Sequence, residues 1–318
     1  MDTRLLRHFV GVAESGSISR AAELLHVAQP GLSLSIQKLE ESLGVSLFHR
    51  SRKGVALTNE GERLLSHARL ILRQVQAASD DLRSGAAEPI GPLILGMPQS
   101  LAATLVVPLV AEIMRRWPRI GLRIIDANTG YIPEWLRTGH LHLGFVFRAE
   151  AGRGVDYRNI LQEELILVGP AVTGEERPEI TSAELARLPL ILPSRRHSLR
   201  ELIEAYARQH DIRLNVVAEI DAMPQLRDLA MAGIGWSILS YASVRREVGE
   251  NRLRGMRIDP PLLRPCYLCR STTAPTTRPM QAVEGLIIDL VDGMLRRGEW
   301  PAALRPMTGH LHANPEHV

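Results

Sequence analysis

Hydrophobic residues in the first 58 positions follow three short helical rhythms and then an alternating one. Leu6, Phe9, Val10 and Ala13 make one stripe, closed by Ser15-Gly16. Ser17 or Ser19 can cap a second helix, in which Ala21, Ala22, Leu24 and Leu25 turn inward. Leu32, Ile36, Leu39 and Leu43 are spaced i, i+4, i+7 and i+11 along a third. After Gly44 the stretch VSLFHRSRKGVALT alternates around Lys53-Gly54, which predicts a small hairpin with a basic tip. Thr58 then reads as the N-cap of a long helix with Glu60 and Glu62 in its first turn. Within it Leu64, Ala68, Ile71, Val75, Ala78 and Leu82 follow steps of 4, 3, 4, 3 and 4. That is a heptad seam, and it predicts pairing with a second copy of the chain.

The segment SGAAEPIGP (84–92) reads as a linker. Beyond it the apolar runs LILGM, LRIIDA, LGFVF, LILVG, LPLILP, NVVAEI, GWSILS and CYLCR alternate with helical stretches such as LAATLVVPLVAEIMRRW and SLRELIEAYARQH. Strands rich in Val, Ile and Leu that alternate with helices predict α/β units on mainly parallel sheets. The tail from Pro301 has the composition of a loosely ordered end.

A chain of 318 residues with 45% hydrophobic and 23% charged residues fits two or three packed units. Its start lacks a signal-peptide pattern and its apolar runs are short, so a cytoplasmic location is expected, with no membrane partner. The net charge of +3 permits a nucleic-acid partner without requiring one. Cys266 and Cys269 stand three apart in a strand and should face opposite sides, which argues for buried small residues over a redox or metal clip. The histidines lack metal-ligand spacing, so neither a metal nor a cofactor is expected.

The third helix carries an unusual outer face. Gln29, Pro30, Ser33, Leu34 and Gln37 occupy the early outward positions, and charges begin only at Lys38, Glu40 and Glu41. Neutral hydrogen-bonding groups suit base edges in the major groove of double-stranded DNA, and Leu34 suits a thymine methyl. Cations lie to the side instead: His49, Arg50, Arg52 and Lys53 at the hairpin can grip phosphates or the minor groove.

Residues 1–60 resemble the winged helix-turn-helix of LysR-type transcriptional regulators. The likeness rests on Ala21-Ala22, Gln29-Pro30, Ser33, Ile36, Leu39-Glu40, Leu43-Gly44, Leu47-Phe48, Arg50, Leu57-Thr58 and Gly61, and order and length fit to about residue 300. HVAQPGLS and LPSRRHSLR make the chain most similar to the nitrogen-assimilation-control branch. Two departures stand out: Ala28 replaces the usual hydroxyl that caps the recognition helix, and His142 replaces the usual Asp before its strand.

The resemblance implies an α/β protein with an N-terminal winged helix-turn-helix (1–58), a linker and dimerisation helix (59–88), and a two-lobed, periplasmic-binding-protein-like effector domain (89–300) before a tail (301–318). Lobe I would take about 91–162 and 266–300, and lobe II 163–265, with two crossover strands as hinge. The loops around Ser100, Thr129 and Ser194 would line an effector cleft, with Phe147 and Met223 as apolar walls. Arg148, Arg195, Arg196 and His197 lie in such loops and suggest an anionic small-molecule effector, such as a carboxylate. The chain would work as a dimer or tetramer. Gly233 and Gly235 (AGIGWS) make no dinucleotide fingerprint, and Gly233 reads as a helix C-cap.

Other classes fit less well. No nucleophile elbow, P-loop or metal motif supports an enzyme. A solute-binding protein would carry an export signal, and a DNA-architectural protein would need no sensor domain. A regulator with a vestigial, ligand-independent sensor remains the nearer alternative.

Overall fold

The computed structural model describes residues 2–51, 54–82, 88–150, 154–171, 178–300 and 303–304. The N-terminal unit comprises α1 (Thr3–Ser15), α2 (Ile18–Leu24), α3 (Gln29–Leu43), and the antiparallel hairpin β1 (Phe48–Ser51) and β2 (Gly54–Leu57). Leu6, Phe9, Val12, Ala21, Ala22, Leu32, Ile36, Leu39, Leu47 and Phe48 form its core. The apolar rhythms place most of these, with three differences. Val12 joins the core where Val10 and Ala13 are only half-buried. Leu24, expected inside, is 66% exposed because the last turn of so short a helix projects past its neighbours, and Leu43 is 39% exposed at the end of α3. Ser17 is the residue that caps α2, accepting the backbone N–H of Arg20. Gly44 ends α3 at φ +69°, a left-handed conformation open to glycine at little cost.

Thr58 accepts the N–H of Gly61 and donates to the Ser46 carbonyl, so it caps α4 (Asn59–Leu82) and anchors it to the hairpin. Here the heptad expectation needs correction. Ala68 is fully buried within its own protomer, and Leu64 and Ile71 pack beside it against the N-terminal core. Only Val75, Ala78 and Leu82 stay exposed, Leu82 to 85%. The spacing of 4 and 3 is the same for both halves, so periodicity cannot tell an intramolecular stripe from a seam.

The remaining elements are β3 (Gly91–Met97), α5 (Gln99–Arg116), β4 (Ile120–Asp126), α6 (Ile132–Arg137), β5 (Leu143–Val146), β6 (Val155–Pro170), β7 (Glu179–Thr181), α7 (Ser182–Leu185), β8 (Leu190–Leu192), α8 (Ser198–Gln209), β9 (Val216–Glu219), α9 (Met223–Met231), β10 (Ser237–Ser240), α10 (Tyr241–Gly249), β11 (Leu253–Ser271), α11 (Arg278–Arg296) and β12 (Ala303–Leu304). Among the described residues eight strands share one sheet, in which β10-β6-β11-β5-β3-β4 run in order while β7 pairs with β11 and β12 with β6. β3 is parallel to β4 and β5, but the two long strands β6 and β11 are antiparallel to each other over nearly their whole length. Each of them serves two cores. One half packs with α5 and α11 around Leu95, Leu105, Phe145 and Ile287. The other packs with α8 and α9 around Leu167, Leu192, Ile203 and Ile238. Two lobes therefore hang on one pair of strands. Gly233 takes a left-handed φ of +73° one residue after the α9 cap Ala232. Ala303 and Leu304, expected in a loose tail, add a short strand beside Glu163 and Gln162.

Cys266 belongs to the α5/α11 core and Cys269 to the cluster under α6, on the opposite face of β11. Burial pushes both thiols well above their usual range, which leaves them unreactive. At the foot of β5, His142 donates its N–H to the Ile94 carbonyl and accepts the Ile94 N–H on Nδ1 at 2.8 Å. The ring thus completes a strand-like exchange where the usual residue would be acidic. Burial first, and then the Arg73 charge, hold its pKa down at about 3. A histidine depressed in the folded state binds its proton more readily when unfolded, so its contribution is full above pH 6.5 and lost as pH falls toward 3. His142→Asn should keep the acceptor and remove this sensitivity: between pH 7.5 and 5.5 wild type should lose more melting temperature than the variant.

Candidate functional site

Two surfaces carry the candidate chemistry. On α3, Leu32, Ile36 and Leu39 face the core, which turns Pro30, Ser33, Leu34 and Gln37 outward as an i, i+3, i+4, i+7 set. Gln29 and Pro30 are exposed in its first turn. Ala28 supplies no side-chain cap, and Pro30, within the first two positions, removes a donor that would otherwise need one. Leu34 is half-exposed at the middle of this face, where its side chain is free to meet an apolar group such as a thymine methyl. Gln37 donates to Glu41 at 2.8 Å, so it is already oriented along the face.

Glu40 braces the hairpin beside this face. One carboxylate oxygen accepts the N–H groups of Leu47 and Phe48, and the other takes Arg50 at 3.4 Å. Arg50 is held close to α3 while staying exposed. Arg52 and Lys53 lie outside the described residues.

The second surface is the cleft between the lobes. Its larger chamber is about 860 Å³ and an adjoining one about 620 Å³. All nine candidates from the effector loops line one or both: Ser100, Thr129, Phe147, Arg148, Ser194, Arg195, Arg196, His197 and Met223. Strand ends and helix starts put them there. Ser100 opens α5 after β3, Thr129 follows β4, Phe147 and Arg148 follow β5, and Met223 opens α9.

Among the described residues two side-chain contacts cross the cleft: Thr129 Oγ1 donates to Ser198 Oγ at 3.1 Å, and Arg148 meets Glu201 at 3.1 Å. Ser194 donates its N–H and hydroxyl to Asp221, and these bonds hold that carboxyl below its usual range. His197 has a different part from the expected cation. Its Nδ1 accepts the Leu199 N–H as the N-cap of α8, and burial lowers its pKa, so it is a neutral acceptor. Arg195 and Arg196 are exposed and make no ion pair among the described residues, whereas Arg148 is shared between Glu150 and Glu201.

The sequence reading missed the centre of this cleft. Arg264, directly across the ladder from Glu163, is nearly fully buried with it and donates to it through both Nε (3.1 Å) and Nη2. Its guanidinium carbon stands 3.7 Å from the centroid of the Phe147 ring, and Nη2 reaches Ser100 Oγ at 3.4 Å. Trp300 Nε1 donates to the other Glu163 oxygen. The only trace in the sequence is a lone Arg in the run PPLLRPC, and its partner appears once the register of β6 against β11 is known.

A three-helix head with a hairpin wing, joined by one long helix to a two-lobed domain with a cleft, is the architecture of a DNA-binding transcriptional regulator with an effector-binding domain. Residues 3–62 match the bacterial regulatory helix-turn-helix protein, lysR family, and residues 86–291 match the LysR substrate binding domain. The chain belongs to the LysR family of DNA-binding transcriptional regulators; it is not an enzyme. It is 31% identical to the regulator BbuR of Bordetella bronchiseptica over 95% of this chain and 93% of BbuR. It is 26% identical to the nitrogen assimilation regulatory protein Nac of Escherichia coli, covering 94% and 99%. A full-length OxyR variant from Pseudomonas aeruginosa shares the fold with a TM-score of 0.75 at 24% identity, covering 92% of this chain and 97% of that one. CbnR, solved with its target DNA, aligns at 0.62 and 24%, covering 92% and 100%. Among the described residues no helix is long and apolar enough to cross a membrane.

Removing one member of the buried pair should expose its worth. Glu163→Gln leaves the Arg264 charge uncompensated and should cost roughly 3–5 kcal/mol in chemical denaturation. A loss under about 1 kcal/mol, the range of surface pairs, would show that water reaches the pair.

Proposed function

We propose that α3 reads operator bases through Gln29, Pro30, Ser33, Leu34 and Gln37, with Arg50, Arg52 and Lys53 on the flanking backbone. The observation that carries this is the uncharged outer face of α3, with the half-exposed Leu34 at its middle. The working units follow 1–58 for the head, 59–88 for the linker and pairing helix, and 89–300 for sensing. Two copies pair along the exposed half of α4, through Val75, Ala78 and Leu82, and so present two heads to adjacent half-sites. The protein acts in the cytoplasm, where its DNA is.

The sensing cleft takes a small anionic effector, such as a carboxylate. Arg264 is neutralised by Glu163, so the charge available to a ligand comes from Arg195 and Arg196, with Arg208 on α8 beside them; none of the three has an acid partner among the described residues. Both chambers share Arg196, Thr129, Phe147 and Arg264, so one ligand can touch both lobes there.

Selection of genomic fragments by the purified protein at two salt concentrations tests the DNA reading. A few intergenic fragments sharing an interrupted palindrome are expected. On such a fragment Ser33→Ala should lose about 1–3 kcal/mol while binding to random DNA holds. Equal losses on both would remove Ser33 from base readout. The effector class is tested separately, by a thermal-shift screen of mono- and dicarboxylates. A stabilising hit should lose its shift in Arg195→Ala/Arg196→Ala, and an unchanged shift would sink the anionic reading.

A further inference from the structure

Arg73 is the most unusual cation outside the cleft. It lies on α4 and is only 5% exposed, yet no carboxylate meets it among the described residues. Nη2 donates to the carbonyls of Gly139 (3.1 Å) and Leu141 (3.0 Å), while Nε and Nη1 are buried without any partner. Burial, with Arg69 nearby, pulls its pKa down to about 10. A buried guanidinium held by two carbonyl dipoles and no counter-ion is an expensive arrangement. Its neighbour His142 offers no compensation, because the ring is neutral and its Nδ1 is already occupied by Ile94.

What Arg73 holds is more telling. Gly139 sits at φ +73°, and a Cβ there would come 3.1 Å from Arg69 Cβ and 3.4 Å from both Arg73 Nη2 and Leu70 Cδ2. This turn rests on α4 itself. It is also the far end of a short unit that begins in the effector cleft. Asn128, Thr129 and Gly130 line the larger chamber, α6 follows at once, and Leu141 packs back under α6 beside Ile132 and Leu136. Backbone bonds tie the unit together, from Tyr131 to Asn128, Gly139 to Leu136 and Leu141 to Trp135. Its first end touches lobe II through Thr129 and Ser198, and its last end touches the helix that carries the DNA-reading head.

We propose that Arg73 is the positioning residue that couples the effector cleft to DNA binding, by clamping the 128–141 unit onto α4. The missing counter-ion makes the clamp releasable: movement of Thr129 against Ser198 tilts α6, and the two carbonyls leave Arg73 without breaking an ion pair. This rests on the cleft being the sensing site.

The test needs no known effector, because Thr129→Val removes the hydroxyl that bridges the lobes. Footprints and bend angles of full-length protein are measured on one of the recovered intergenic fragments. Thr129→Val should shift them in an otherwise wild-type chain and change nothing further in an Arg73→Ala background, while an Arg73→Lys background keeps the response. His142→Asp places a carboxylate beside Arg73; it should raise the melting temperature and silence Thr129→Val. If Arg73→Ala does not fold, the lysine and His142→Asp backgrounds decide the matter. Hydrogen exchange gives an independent reading: Arg73→Ala should speed the amides of Tyr131 and Leu141 at least tenfold and leave α3 untouched. A Thr129→Val shift that persists without Arg73, or in His142→Asp, overturns the clamp and leaves the cleft reading standing. No shift in any background sinks both, and unchanged exchange at Tyr131 and Leu141 overturns the clamp alone.

Discussion

A charge can be buried in the middle of a hinge only if its partner stays in place whichever way the hinge moves. Glu163 and Arg264 meet that condition because they face each other across the ladder of the two strands that connect the lobes. Slipping one strand past the other by one residue would turn one of the two side chains to the opposite face and leave both ions without a partner. The pair thereby fixes how β6 and β11 run past one another, and through them where each lobe sits. Phe147 lies under the guanidinium, Ser100 accepts from it, and Trp300 closes the far side of the carboxylate. The cleft is built outward from this single neutralised point.

That arrangement divides the work of the cleft's arginines. Arg264 shapes the floor but offers little net charge, Arg148 is spent on holding the lobes to each other, and Arg200 is buried against Glu204, Glu219 and the Pro193 carbonyl, where it supports the loop above it. Arg195 and Arg196 are carried on that same loop. A count of basic residues in the loops would treat all of these alike, whereas their contacts make three of them a floor, a latch and a strut and leave Arg195 and Arg196 without an ion pair among the described residues.

Much of this is legible in the amino-acid sequence alone. The neutral face of α3 stood out because helix periodicity fixes what faces out, and the strand–helix alternation placed each effector loop after a strand. What stayed hidden depended on long-range register or on competition between equal patterns. Arg264 and Glu163 are 101 residues apart and invisible as a pair. His197 looks like a cation until its ring is seen capping α8. Leu64, Ala68 and Ile71 carry the same spacing as Val75, Ala78 and Leu82, and only the presence of a neighbouring core separates the two sets.

The division of α4 has a mechanical side. Residues 75 to 82 span only about 10 Å of helix, while the stretch from Asn59 to Val75 runs about 24 Å at 1.5 Å per residue. A pair of chains joined along the short exposed part has a narrow fulcrum and a long arm, and the arm is stiffened by being packed into the head it carries. A rotation of about 10° at the fulcrum would swing the start of the helix by roughly 4 Å, more than the 3.4 Å rise of one base step. With copies paired in that way, small adjustments near residue 73 would translate into whole-base-pair differences at the DNA.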